Sequence, residues 1–206
     1  MPVISKNMKI LSKKFLLACA FLCPWLSPAA ISIFPGASAA FTQTTLTTEN
    51  TRFVEKLTGY TVGGFLLTGF KFGNQRLHFG SIADSMQSSN SKMQGYRVGG
   101  EVRFDMAVSW PLSPFTRLQY TFDRWTFKDL DRTDFSATGR TLKAMAGVGF
   151  PIRDRLLLAF EAGFQYGVMD GGDGRLSSDS AIVKRLENRD VFTFIIGINI
   201  GYRFFD

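Results

Sequence analysis

Cysteine, histidine and unbroken apolar runs are what this 206-residue sequence has least of. Its two cysteines, Cys19 and Cys23, both lie in an N-terminal stretch that reads as an export signal. The rest of the chain therefore has no thiol for a disulfide, a zinc site or nucleophilic catalysis. His78 is the single histidine, and no metal-ligand cluster, phosphate-binding glycine loop or Walker motif is present, so no cofactor is expected. Asp170-Gly171-Gly172-Asp173-Gly174 lacks the ligand spacing of a calcium loop and reads as a flexible loop tip. A spanning helix needs about twenty apolar residues. The apolar stretch from Phe15 to Phe34 is interrupted by Pro24, Ser27 and Pro28 and stopped by Pro35.

What the N-terminus does have is the order of a secretory signal. Lys6, Lys9, Lys13 and Lys14 form a positive region without acids, Phe15 to Leu22 form an apolar core, and Ala37-Ser38-Ala39 offers a small-x-small cleavage pattern. The expected division is a removable signal over 1–39 and one domain over 40–206, with Ala40 as the next best cut and Met8 as an alternative start. Leu16-Leu17-Ala18-Cys19 resembles a lipoprotein box, but it follows Lys14 too closely for an apolar core of about seven residues or more.

The formal charge of +7 belongs largely to that signal: removing four lysines leaves 20 basic against 17 acidic residues, or +3. The remaining Lys and Arg are scattered among Asp and Glu along the chain instead of clustering, which argues against nucleic acid as a partner.

Period-two patterning dominates what remains. From Tyr96 to Trp110 the even positions are apolar or glycine, while the odd ones carry Arg97, Glu101, Arg103 and Asp105. Successive side chains of a strand point to opposite faces, so one face is apolar and the other charged, whereas a helix would mix them. The same alternation runs through 117–123, 156–169 and 192–204, and more weakly through 59–72 and 141–150. Strands of a soluble sandwich usually have about five or six residues, and a tilted transmembrane strand about nine to eleven. Runs as long as these predict an all-β, closed, antiparallel up-and-down transmembrane barrel. Tyr96, Trp110, Phe150, Tyr166, Tyr202 and Phe204 fall near strand ends, where aromatic girdles meet the lipid–water interface.

Single-chain bacterial barrels begin at eight strands, so two more are expected beside these six. Gly73-Asn74 predicts a tight turn into a strand over 75–82, and another strand is expected between Phe41 and Phe53, which would put both termini in the periplasm. Pro111 to Pro114 and Pro151 to Arg155 read as short turns. Residues 83–95, 128–140 and 170–190 read as long solvated outer loops.

With its signal, its Gly-aromatic strands and its C-terminal stretch, the chain resembles the small outer-membrane β-barrel proteins of the opacity-protein and OmpX/OmpA-barrel type. Gly201-Tyr202-Arg203-Phe204 is similar to the terminal-strand signal read by the barrel-assembly machinery, with Gly201, Tyr202 and Phe204 as its elements, although Phe205 and Asp206 follow it. Gly59 to Gly64 resembles the first strand of opacity-type barrels. The resemblance implies a Gram-negative outer membrane, contact with lipid and lipopolysaccharide, and roles ranging over adhesins, anchors, narrow pores and lipid-modifying enzymes. Fold alone does not choose among them.

The inward set comprises Arg97, Glu101, Arg103, Asp105, Arg117, Asp123, Lys143, Glu161 and Arg203. An eight-stranded interior is just wide enough to be filled by side chains, and buried charges must pair. The expectation is therefore a charge network that plugs the lumen of a monomeric, non-enzymatic barrel with a structural or surface-interaction role. Host or surface ligands would meet the outer loops. A narrow porin-like channel is the alternative, and a lipid A-modifying hydrolase the second alternative. The latter rests on His78 and Ser81, which on one strand point to opposite faces. His78 is expected to be an ordinary lumen or loop residue.

Overall fold

A computed structural model describes residues 31–48, 54–106, 111–130, 133–153, 155–176, 183–185 and 189–204. It contains β1 (Ile31–Thr48), β2 (Val54–Phe72), β3 (Gln75–Ser88), β4 (Met93–Asp105), β5 (Ser113–Leu130), β6 (Thr133–Arg153), β7 (Leu156–Leu176), β8 (Val183–Arg185) and β9 (Arg189–Tyr202). All pairings are antiparallel. Each long strand pairs with the next, β7 pairs with β9, and β1 pairs with both β2 and β9, so eight strands form a ring and β8 is a short ribbon on β7. Closure satisfies the backbone groups that an open edge would leave unpaired in hydrocarbon.

The ring strands have 13 to 21 residues, longer than the membrane requires, and alternation sorts their two faces. Outward positions carry Phe122, Leu66, Tyr96, Phe164, Val98 and Ile196, each half or more exposed. Inward positions alternate with them and are buried. Tyr60, Tyr96, Phe122 and Tyr166 lie on the outer wall toward the end bearing the β1–β2, β3–β4, β5–β6 and β7–β9 connections. Phe72, Phe150, Tyr202 and Phe204 lie toward the opposite rim, where β1 starts and β9 ends. No helix among the described residues is long and apolar enough to cross a membrane; this chain crosses with strands.

The turns refine the sequence expectations. Gly73 adopts φ 59° in a two-residue turn with Asn74, the left-handed conformation that glycine supplies at the first position of a hairpin turn. The expected outer loops over 83–95 and 128–140 are largely strand among the described residues, with a short turn at 89–92. β3 runs to Ser88 and β4 starts at Met93, with Ser91 at φ 57° between them. β5 and β6 stay paired up to Leu130 and Thr133. Polar composition suggested loops there, but a barrel wall that continues beyond the lipid is solvated on its outside and keeps its backbone ladder. Asp170 to Gly174 likewise belongs to β7, where Asp173 pairs with Ser136 and with Arg185. The strand expected over 96–110 ends at Asp105, and Trp110 lies outside the described residues.

Gly59 to Gly64 belongs to β2, the second strand and not the first, because β1 precedes it. The strand expected between Phe41 and Phe53 is this β1, and it begins at Ile31. Ala37, Ser38 and Ala39 therefore sit within it, paired with Gly64, Gly63 and Val62 on one side and with Ile200, Asn199 and Ile198 on the other. Residues 1–30, with most of the expected export signal, lie outside the described residues.

Candidate functional site: the lumen

Inward alternation brings polar side chains from every ring strand into the interior. All nine charged residues expected there are buried, from Asp105 at 0% exposure to Arg203 at 8%. Arg103 on β4 donates from Nε to Asp105 Oδ1 at 2.8 Å and from an Nη to Asn199 Oδ1 at 3.4 Å. Asn199 is on β9, four strands from β4 in a ring of eight, so this contact crosses the lumen. Asn199 Nδ2 donates to Glu161 at 2.9 Å, and Glu161 also accepts from Arg117. Arg117 then pairs with Glu101 at 3.3 Å, and Gln119 donates to the same Glu101 oxygen at 2.5 Å. Residues on four strands thus form one connected chain. Hydrogen bonds to charged groups are among the stronger ones, and together they offset the desolvation of the ions.

Nearer the loop end, Arg97 donates to Asp84 at 2.5 Å and to Gln165 on β7. Asp123 accepts from Thr121 at 2.5 Å and from Thr141. Lys143 points inward, with Gln119 and Gln165 as its register partners on the flanking strands.

At the termini end Ser32 Oγ lies 3.2 Å from His78 Nε2, and His78 Nδ1 lies 3.2 Å from Asp105 Oδ2. The first is a hydrogen bond; the second is close enough for charge contact but off the line of one. This is the residue order of a hydrolytic triad, but all three side chains are buried in the lumen, Ser32 at 3% exposure and the other two at 0%. Asp105 also faces Arg103 and Arg203, and the Arg103 guanidinium lies between the rings of Phe115 at 3.9 Å and Phe34 at 5.1 Å. Packing of that kind fixes the side chains, and Ser32 faces the lumen, away from the lipid-facing wall.

Above the charged belt, toward the loop end, the interior turns apolar. Leu57, Met86, Met93, Trp125, Phe127 and Met169 form one buried cluster. The Trp125 indole lies so close to Gly95 and Gly139 that a Cβ at either would come within 3.0 Å and 2.8 Å of it. Glycine at those positions is what lets the ring lie across the bore.

No family model matches the chain, and no curated protein matches it significantly. Solved structures do. It is similar to Neisserial surface protein A at 15% identity and a TM-score of 0.50, over 81% of this chain and 95% of that one. It is also similar to Ail, the attachment invasion locus protein of Yersinia pestis (14% identity, TM-score 0.43, covering 83% and 98%), and to the outer membrane protein OprG from Pseudomonas aeruginosa (12%, 0.42, 86% and 97%). The chain has the fold of the small outer-membrane β-barrels.

An outer-membrane barrel of this size has its apolar wall in lipid and its polar face inside, as found here. The residues read from the sequence as inward are brought together by the lumen. Alternation also places Gln119, Gln165 and Asn199 on the inward face, where they link the charges; Ser32, Asp84 and the apolar cap around Trp125 are added by the structure. Trp125 and Phe127 are in phase with Arg117 and Asp123, so extending the same alternation would have placed them inside. Ser81, considered with His78, faces outward. At the C-terminal stretch Gly201 faces in beneath the Phe34 ring, while Tyr202 and Phe204 face out with ring centroids 4.7 Å apart.

Proposed function

We propose that this outer-membrane barrel acts as a monomer in a structural or surface-interaction role, with its lumen plugged by its own side chains. The observation that carries the reading is the cross-lumen connection from Arg103 through Asn199 and Glu161 to Arg117, sealed toward the loop end by the cluster around Trp125. An ion path would require these groups to part. The ring closes on itself through β1–β9 and β6–β7, so the fold needs no second copy to complete its sheet.

The surface that remains for interaction is the outer wall and rim at the loop end, which in this reading face the cell exterior. There basic side chains gather on one sector of the wall: Arg124 and Lys128 on β5 and Arg140 on β6 lie outside, next to the Tyr96 and Phe122 level. Arg124 also lines a shallow wall cavity of about 340 Å³ with Tyr60, Gln87, Gln94 and Tyr96. Cations just above an aromatic girdle suit the phosphates of lipopolysaccharide headgroups. Gly201, Tyr202 and Phe204 serve as the assembly signal in this account. Replacing Arg124, Lys128 and Arg140 together by Gln should weaken binding of the purified barrel to lipopolysaccharide-containing vesicles at least several-fold. Binding to neutral phospholipid vesicles and the gel shift between unheated and boiled protein should stay as they are. Unchanged lipopolysaccharide binding would remove this role from the wall.

A further inference from the structure

We propose that the leader is removed upstream of Ile31, between Ala29 and Ala30, so that the whole of β1 remains in the mature barrel. The proposal rests on the reading of the N-terminus as a cleaved export signal. Hydrolysis adds water across the Ala29–Ala30 amide, leaving a carboxylate on the released leader and a free amine on Ala30, with the membrane-bound signal peptidase as catalyst.

Residues 31–39 form the first half of the strand that closes the ring, paired with Phe70 to Val62 of β2, and from Gly36 onward with Gly201 to Ile198 of β9. A cut after Ala39 would leave those partners with unpaired N–H and C=O groups inside hydrocarbon, where nothing else can satisfy them. It would also shorten the β1–β9 seam that closes the ring, removing its pairs from Gly36–Gly201 to Ala39–Ile198.

Side-chain complementarity is an independent observation. Ile31 and Ile33 face outward and Ser32 and Phe34 inward, which continues the barrel alternation and not that of a leader. Phe34 is wholly buried, with its ring 5.4 Å from that of Phe65 and within reach of the Arg103 and Arg203 guanidinium groups. Two glycines are fitted to these rings: the Phe65 ring occupies the space a Cβ on Gly36 would need, and the Phe34 ring does so at Gly201. Ser32 supplies the hydrogen bond to His78. Ile33 also pairs with Phe204 through backbone bonds of 3.1 and 2.8 Å, joining the two ends of the chain. Removing 31–39 would take the Phe34 ring from Gly201, the Ser32 hydroxyl from His78 and the Ile33 backbone pairing from Phe204.

The sequence provides a second small-x-small pattern that spares all of this. Ser27-Pro28-Ala29 places Ser and Ala at the two recognition positions, and only residues 23–29 then separate the cut from the apolar core ending at Leu22, against 23–39 for the later site.

The test is intact mass and N-terminal sequencing of the full-length gene product purified from the outer membrane. A chain starting at Ala30 is the expected result. A start at Ala40, or anywhere beyond Ile31, overturns the proposal while leaving the export reading intact. An uncut chain, or one starting at a lipid-modified Cys19, overturns the export reading itself and the proposal with it. Two variants separate the sites: Ala29→Arg should abolish most processing and accumulate precursor, whereas Ala39→Leu, on the lipid-facing wall, should leave the mature mass changed only by the substitution. The opposite pattern would assign cleavage to the later site.

Discussion

The outer wall and the lumen are built from the same strands, residue by residue, yet they obey different rules. On the wall, neighbours such as Val98, Phe122 and Ile196 contact lipid, a solvent that adapts to almost any apolar shape. In the lumen, Arg117, Glu101, Glu161 and Asn199 contact one another, and each has a partner that nothing else can replace. The wall is therefore specified by polarity alone, the lumen by identity and position. Substitutions should separate the two regions sharply.

The largest effect is expected from breaking one partner out of the buried network. Glu161→Ala leaves Arg117 facing the lumen without that acid and should cost about 3–5 kcal/mol, measured by urea unfolding in lipid vesicles. Trp125→Ala tests the apolar cap, where a truncated aromatic should cost about 3–5 kcal/mol; a smaller loss than Glu161→Ala would show the cap to be the softer part of the interior. On the wall, Val102→Arg places a charge among lipid tails and should cost about 2–4 kcal/mol if it lies near the midplane, read by the same unfolding assay. Ser32→Ala removes one hydrogen bond to His78 and should cost about 1–3 kcal/mol. Since the Ser32–His78–Asp105 set is enclosed, His78→Ala should leave the lipid A mass spectrum unchanged. The smallest effect is expected from Val98→Leu, an apolar exchange against lipid, at less than about 0.5 kcal/mol.

This division also explains what the sequence disclosed. Period-two alternation over Tyr96 to Asp105 and over Phe192 to Tyr202 reveals both the strands and their inward faces, because each parity meets a different solvent. Strand ends were harder to read. Past the lipid boundary the outer face of residues 83–88 and 136–140 turns polar, so the alternation fades while the backbone pairing goes on. The network partners Gln165 and Asn199 fall on the inward face but carry no charge to mark their role, and Trp125 lies just past Asp123, where the alternating run read from the sequence stops. Ser32 and Phe34 were obscured for another reason: their neighbourhood is apolar enough to pass for the tail of an export signal, and only the pairing of β1 with β9 reveals their place.

Whether the lumen is filled and held shut by its own side chains is decided by single-channel recording of the purified, heat-modifiable barrel in a planar bilayer. The unaltered protein should leave the membrane silent over a wide voltage range, with discrete conductance steps appearing when Trp125→Ala is combined with Glu161→Ala. Regular steps from the unaltered protein would contradict a plugged lumen and make Arg97, Arg117 and Lys143 the lining of a pore.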